Sequence, residues 1–250
     1  MIVFVTGATA GFGAAIARKF VHEGHRVVAA GRRTDRLQAL ADELGDALFP
    51  LTLDVTDRAA TEAVVASLPE GFAAVDVLVN NAGLALGLEP AHEVAPDDWE
   101  TMIDTNVKGL TRMTRSLLPG MVERGRGHIV NLGSVAAHFP YPGGNVYGAT
   151  KAFVAQFSLN LRADLLGTPV RVTNVEPGLC GGTEFSNVRF KGDDEKAAKI
   201  YDGTQPLTSE DIAETVYWVA SRPAHVNINS LQLMPVCQAF GPLAIKRTTS

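Results

Sequence analysis

Short apolar runs alternate with amphipathic segments along most of this chain, and that alternation restricts its fold more than any other feature. Strand-length runs recur at 2–6 (IVFVT), 26–31 (RVVAAG), 48–54 (LFPLTLD), 75–81 (VDVLVNN), 128–134 (HIVNLGS), 170–177 (VRVTNVEP) and 228–236 (INSLQLMPV). Most lack polar alternation, as strands buried on both faces do. Helical patterns separate them at 12–24, 34–44, 57–67, 97–124, 146–166 and 209–221. Such an order predicts a parallel sheet with helices on both faces. Right-handed crossovers then leave a doubly wound α/β fold. Asp57, Pro96-Asp97-Asp98 and Ser209-Glu210-Asp211 mark helix starts, with acids at the positive helix ends.

The 250 residues suit one domain, 1–250, with no linker to a second. A net charge of -5 argues against nucleic acid as the main ligand. No apolar stretch reaches the roughly 20 residues of a membrane span. The chain starts almost at once with a strand-like run, without the pattern of a secretory signal. Cys180 and Cys237 form neither a metal spacing nor a disulfide framework. A cytoplasmic protein without a metal is expected. The segment 178–208 is rich in glycine and mixed charge and has poor periodicity. Its length between a strand and a helix suits a lid over a site.

TGATAGFG, residues 6–13, lies between the first strand and the first helix. Gly7, Gly11 and Gly13 permit a tight turn and close approach of a phosphate, which then meets free N–H groups at the helix start. An ordinary βα turn is the bland alternative. The second strand ends AAGRR. An NAD site places an acid near this point for the ribose 2′-hydroxyl. Here Gly31 is followed by Arg32 and Arg33, which suit a 2′-phosphate, and NADP is expected over NAD. Asp54 ends the third strand and suits either an adenine amino group or a local turn. NNAG, 80–83, ends the fourth. Ligands of such sheets sit at the carboxyl ends of the strands, so these strand ends point to one crevice.

NVYGATKAF, 145–153, places Tyr147 and Lys151 four residues apart. On a helix they share a face, about 6 Å apart along the axis. A nearby ammonium favours phenolate, so Lys151 is expected to lower the Tyr147 pKa. Alone, a Tyr-x-x-x-Lys pair is commonplace. Ser134, thirteen residues upstream at the end of the fifth strand, supplies a hydroxyl for a substrate carbonyl. Asn106 sits near Gly109 inside a helical pattern. Both residues disfavour helix interiors, by up to about 1 kcal/mol relative to Ala. They predict a local disruption that frees backbone groups for a water chain; a surface pair is the bland reading.

TGATAGFG, NNAG, Asn106, Ser134, YGATK and EPG (176–178), in this order and spacing, resemble the classical short-chain dehydrogenase/reductase family over nearly the whole chain. The resemblance implies a Rossmann-type fold with a seven-stranded parallel sheet. It implies hydride transfer between a nicotinamide and a carbonyl or alcohol. Tyr147 is then the catalytic acid/base, Ser134 the group that polarises the carbonyl, and Lys151 the ribose-binding residue that lowers the Tyr147 pKa. Asn106 supports a proton relay. Cofactor contacts implied are Gly7, Thr9, Gly11, Phe12, Gly13, Arg32, Arg33, Asp54, Val55, Asn81, Ala82, Gly83, Tyr147, Lys151, Pro177, Gly178 and Thr183. Thr183 lies one residue beyond the commonest family spacing.

GGNVYGATKAFV, GGTEFSNVRFKGDD and PAHVNINSLQLMPV further resemble the NADP-dependent 3-hydroxy acid and serine 3-dehydrogenase branch of that family. That branch implies short 3-hydroxy acids such as serine, allo-threonine, 3-hydroxyisobutyrate or 3-hydroxypropionate. It also implies a homotetramer packed through 97–124, 146–166 and the C-terminal segment. A broad carbonyl or 3-oxoacyl reductase is the alternative enzyme reading; a dinucleotide-sensing scaffold is the non-enzymatic one. A 3-hydroxy acid needs a cation, and Arg189 in the 178–208 segment is the candidate partner for its carboxylate. The six histidines show no metal or triad spacing, and His138 is the one nearest the presumed pocket.

Overall fold

The computed structural model describes residues 1–240. It forms one seven-stranded parallel sheet in the order β3-β2-β1-β4-β5-β6-β7. The strands are β1 (Ile2–Thr6), β2 (Arg26–Gly31), β3 (Leu48–Thr52), β4 (Val77–Asn80), β5 (Gly127–Leu132), β6 (Val170–Pro177) and β7 (Ser230–Leu233). β1, β2 and β6 take the limits of their apolar runs. The doubly wound α/β architecture expected from the alternation is present.

Alternate residues of each strand feed two cores. Val3, Val5, Val27, Ala29, Val77, Val79 and Val130 pack on one face with α1 (Gly11–His22), α2 (Thr34–Leu44) and α9 (Ser209–Ala220). Phe4, Val28, Leu78, Ile129 and Val172 pack on the other. There they meet Met113, Leu117 and Met121 of α5 (Leu110–Glu123) and Leu161 of α6 (Asn145–Asp164). This two-sided burial explains why the strands read as continuous apolar runs.

Two helical expectations need correction. The 57–67 pattern is α3 (Arg58–Ala63) followed by a 3-10 turn at Val64–Ser67; Asp57 does cap it, accepting from the Ala60 amide at 3.0 Å. α9 begins at Ser209 with Glu210 and Asp211 in its first turn, as expected, and Thr208 caps it: Thr208 and Asp211 bond reciprocally to each other's backbone amides. The 97–124 pattern breaks into α4 (Pro96–Ile103), a π-helical turn at Asp104–Gly109, and α5. The disruption read from Asn106 and Gly109 is thus real, and π turns of this kind recur at functional sites. The 178–208 segment carries two short helices, α7 (Phe185–Arg189) and α8 (Asp194–Lys199). The C-terminal segment expected to pack between subunits runs on into 241–250, outside the described residues.

Candidate active site

A cleft of about 390 Å³ runs across the carboxyl ends of the strands. Its size suits a small-molecule site. One end is the turn between β1 and α1. Gly7 and Gly11 have positive φ, 68° and 51°. A Cβ at Gly13 would run into the Gly7 carbonyl, so only glycine lets the helix start this close to the strand. Thr183 reaches over the turn: a Cβ on Gly11 would lie 3.3 Å from its side chain. Gly7, Thr9, Gly11, Phe12, Arg32, Arg33, Asp54, Val55, Asn81, Ala82, Gly83, Pro177, Gly178 and Thr183 all line the cleft. Gly13 shapes the turn from beneath.

The β2 end favours a phosphate over an acid for steric and electrostatic reasons. A Cβ at Gly31 would lie 2.6 Å from Thr9 Cγ2, so a larger residue there would displace the Thr9 side chain. Arg33 donates from Nε and Nη2 to Thr9 Oγ1, at 3.1 and 2.9 Å, which fixes its guanidinium. Arg32 is exposed and makes no ion pair among the described residues. Asp54 lines the cleft, but its Oδ1 accepts from the Thr56 amide (2.9 Å) and hydroxyl (2.8 Å). The local-turn reading of Asp54 therefore holds for that oxygen.

The other end holds Ser134, Tyr147 and Lys151, all lining the cleft. The first turns of α6 place Tyr147 and Lys151 on one face, and Lys151 Nζ lies 5.8 Å from the Tyr147 ring centroid. Both are 8% exposed. Lys151 donates to the Leu132 carbonyl at 2.7 Å. Burial pushes its pKa down to about 8. The expected lowering of the Tyr147 pKa by Lys151 is not what this arrangement gives. Burial pushes the phenol up to about 12, against a hydrogen bond from Ser134 and the charge of Arg189, which both pull it down. Desolvation of the phenolate outweighs the nearby charges.

Asn106 is 2% exposed, so it is no surface pair. From the π turn its Oδ1 accepts from the Leu84 amide (2.9 Å), and its Nδ2 donates to the Leu84 carbonyl (2.8 Å) and Thr150 Oγ1 (3.1 Å). Thr150 in turn donates to the Tyr147 carbonyl at 2.8 Å. Asn106 thus ties the loop after β4 to the first turn of α6. Thr150 was missed in the sequence, although it sits within the YGATK motif. So was Thr6, whose hydroxyl accepts from the Asn81 and Ala82 amides, both at 3.0 Å. Asn81 returns the tie by donating to the Thr6 carbonyl at 2.8 Å.

Arg189, at the end of α7, packs against Tyr147 without lining the cleft. Its guanidinium lies 5.2 Å from the centroids of Tyr147 and Phe185. Nη2 donates to the Tyr141 hydroxyl at 2.7 Å, while Nε is buried with no partner. The proximity expected of His138 is not used: it meets the buried carboxylate of Glu176 at 2.8 Å and does not line the cleft. Cys180 lines the cleft, but burial pushes its thiol up to about 12, far from a reactive thiolate. Among the described residues no cluster of His, Cys, Asp or Glu forms a metal site, and no helix is long and apolar enough to cross a membrane.

A parallel sheet with a glycine turn after β1 and a Tyr-x-x-x-Lys helix beside Ser134 is a shared architecture. A family model described as short chain dehydrogenase matches residues 1–194, and the chain belongs to that family. It is 67% identical over 248 residues to the NADP-dependent 3-hydroxy acid dehydrogenase YdfG of Salmonella typhi, covering 99% of this chain and 100% of that protein. It is 56% identical to the serine 3-dehydrogenase of Agrobacterium fabrum, covering 98% of each. Its structure matches a closed form of serine dehydrogenase complexed with NADP+ with a TM-score of 0.98 at 65% identity, over 99% of this chain and 100% of that one.

Proposed function

We propose that this protein is an NADP(H)-dependent oxidoreductase that interconverts short 3-hydroxy acids and their 3-oxo or semialdehyde counterparts. One observation carries the reading. A single cleft joins a phosphate-sized glycine turn to half-buried Ser134 and buried Tyr147 and Lys151, and the Arg189 guanidinium lies 5.2 Å from the Tyr147 ring centroid. The relatives described above act on such acids by name and support the same substrate class.

The cofactor fits the residues present. The open turn at Gly7, Gly11 and Gly13, with Thr9, Phe12 and Thr183, would hold the diphosphate. Arg32 and Arg33 would hold the 2′-phosphate. Asp54 and Val55 would flank the adenine; Asn81, Ala82, Gly83, Pro177 and Gly178 would line the ribose and nicotinamide end. When bound, the nicotinamide supplies or accepts the hydride. The segment 178–208 is the lid.

Tyr147 carries the proton. In reduction its phenol, protonated throughout the neutral range, donates to the carbonyl oxygen as the hydride reaches the carbon. In oxidation its phenolate takes the hydroxyl proton, so that direction is favoured as the pH rises toward about 12. The Ser134 hydroxyl donates to the same oxygen. Lys151 would hold a ribose hydroxyl. Asn106 holds the loop and helix that frame this end of the cleft, beside any proton relay. The orphaned Nε of Arg189 is the donor that a substrate carboxylate would satisfy, alongside an Nη, in the side-on bidentate geometry arginine favours.

Arg189→Met tests the assignment. The KM for 3-hydroxypropionate or serine should rise at least about tenfold, the cost of a lost charge-assisted pair, with little change for a neutral ketone. Equal effects on both would refute it. Assembly is proposed through α4, α5 and α6, which expose Ile103, Val122, Phe153 and Leu159. Sedimentation equilibrium should return four chains in the cytoplasmic enzyme; a monomer at micromolar concentration would exclude it.

A further inference from the structure

Glu184 lies at the N-cap of α7, on the lid, 151 residues along the chain from Arg33. Its Oε2 accepts from Arg33 Nη1 at 2.8 Å, and its Oε1 accepts from Arg36 Nη1 at 2.6 Å. One carboxylate thus joins the lid to two arginines at the start of α2. Arg33 is itself held by Thr9, so the anchor is fixed. Five residues further on, about 7.5 Å along a helix, Arg189 stands over Tyr147 and Phe185 packs edge-on to the same ring at 5.8 Å. The short helix therefore grips the phosphate end of the cleft through its N-cap and serves the reacting end with its last residue.

We infer that Glu184 is a positioning residue: through Arg36 and Arg33 it latches the lid helix so that Arg189 sits over Tyr147. A 2′-phosphate arriving at Arg32 and Arg33 competes for Arg33 but leaves the Arg36 arm in place. The latch thereby survives cofactor binding. The three side chains are between 41% and 45% exposed, so the latch is weak and sensitive to salt. This inference rests on the proposed role of Arg189, but its test does not require turnover.

Amide hydrogen exchange of the 185–199 peptide, with and without saturating NADP+, reads the latch directly. Glu184→Gln and Arg36→Met should each raise exchange there about three- to tenfold and leave β1 and β5 unchanged. The double variant should match Glu184→Gln, because that substitution already cuts both arms, while Arg36→Met alone leaves the Arg33 arm and should do less without NADP+. Glu184→Asp should restore part of the protection. High salt should raise lid exchange in the wild type and leave Glu184→Gln unmoved. The KM for 3-hydroxypropionate should rise in Glu184→Gln while kcat changes less than twofold. Wild-type lid exchange in Glu184→Gln, additive single effects, or salt-independence would overturn the latch. If the protein turned over no hydroxy acid at all, the exchange data would still decide the latch, and only the substrate reading would fall.

Discussion

At the proposed catalytic end of the cleft, Asn106, Tyr147 and Lys151 are each at most 8% exposed, and their partners include backbone carbonyls, amides and hydroxyls. At the end of the proposed lid, Arg33, Arg36 and Glu184 keep between 41% and 45% of their side chains exposed and hold by charge. Buried neutral hydrogen bonds are little screened, and breaking one leaves an unsatisfied group that costs about 1–3 kcal/mol. Exposed pairs contribute about 0–1 kcal/mol each and weaken with salt. Chemistry is therefore assigned to the part of the molecule that does not yield, and access to the part that does.

The comparison breaks most visibly at Tyr147. Tyr147→Phe removes the proposed proton carrier but keeps the ring against Phe185. Turnover should fall by about 10²–10⁴, while lid exchange remains as in the wild type. An unchanged kcat would end the acid–base assignment. A smaller effect comes from His128 in β5, which is 2% exposed and has an unpartnered Nδ1. Burial pushes its pKa down to about 3, with Arg171 adding to the effect. The unfolded chain takes up the proton near 6.5, the folded one near 3. The stabilisation is thus complete above 6.5 and lost as the pH falls toward 3. The slope should approach about 1.4 kcal/mol per pH unit. Urea unfolding at a series of acid pH values should show it, and His128→Asn should flatten it. The buried wall would then fail in acid, whereas the lid end loosens in salt.

Residues that act through local spacing were legible in the sequence. Gly7, Gly11 and Gly13 lie within one turn, Tyr147 and Lys151 within one helical step, and the Asn106–Gly109 pair marked the π turn through its poor helix propensity. The strand ends were visible because both faces of the sheet are buried. Glu184 was invisible for the opposite reason. Nothing around an acid in a glycine-rich segment tells of an arginine 151 residues away. The pKa order of Tyr147 and Lys151 was also beyond reach, because burial, not spacing, decides it. The 57–67 pattern ended early because α3 hands over to a 3-10 turn, a change of hydrogen bonding that keeps the same apolar face.

The strand order also carries a timetable. β1 lies between β2 and β4, and the Ile2 amide is bonded to Asp76, 74 residues away. As the chain leaves the ribosome, β1 can gain its first neighbour early, but its second edge stays open until β4 has emerged. The same holds down the sheet: β4 waits for β5, across the whole of α4 and α5. Each strand of the central sheet is thus translated with one unpaired edge, and non-local closures of this length fold slowly. The glycine turn after β1 is made first, yet it cannot reach its final shape until the NNAG loop arrives to bond it.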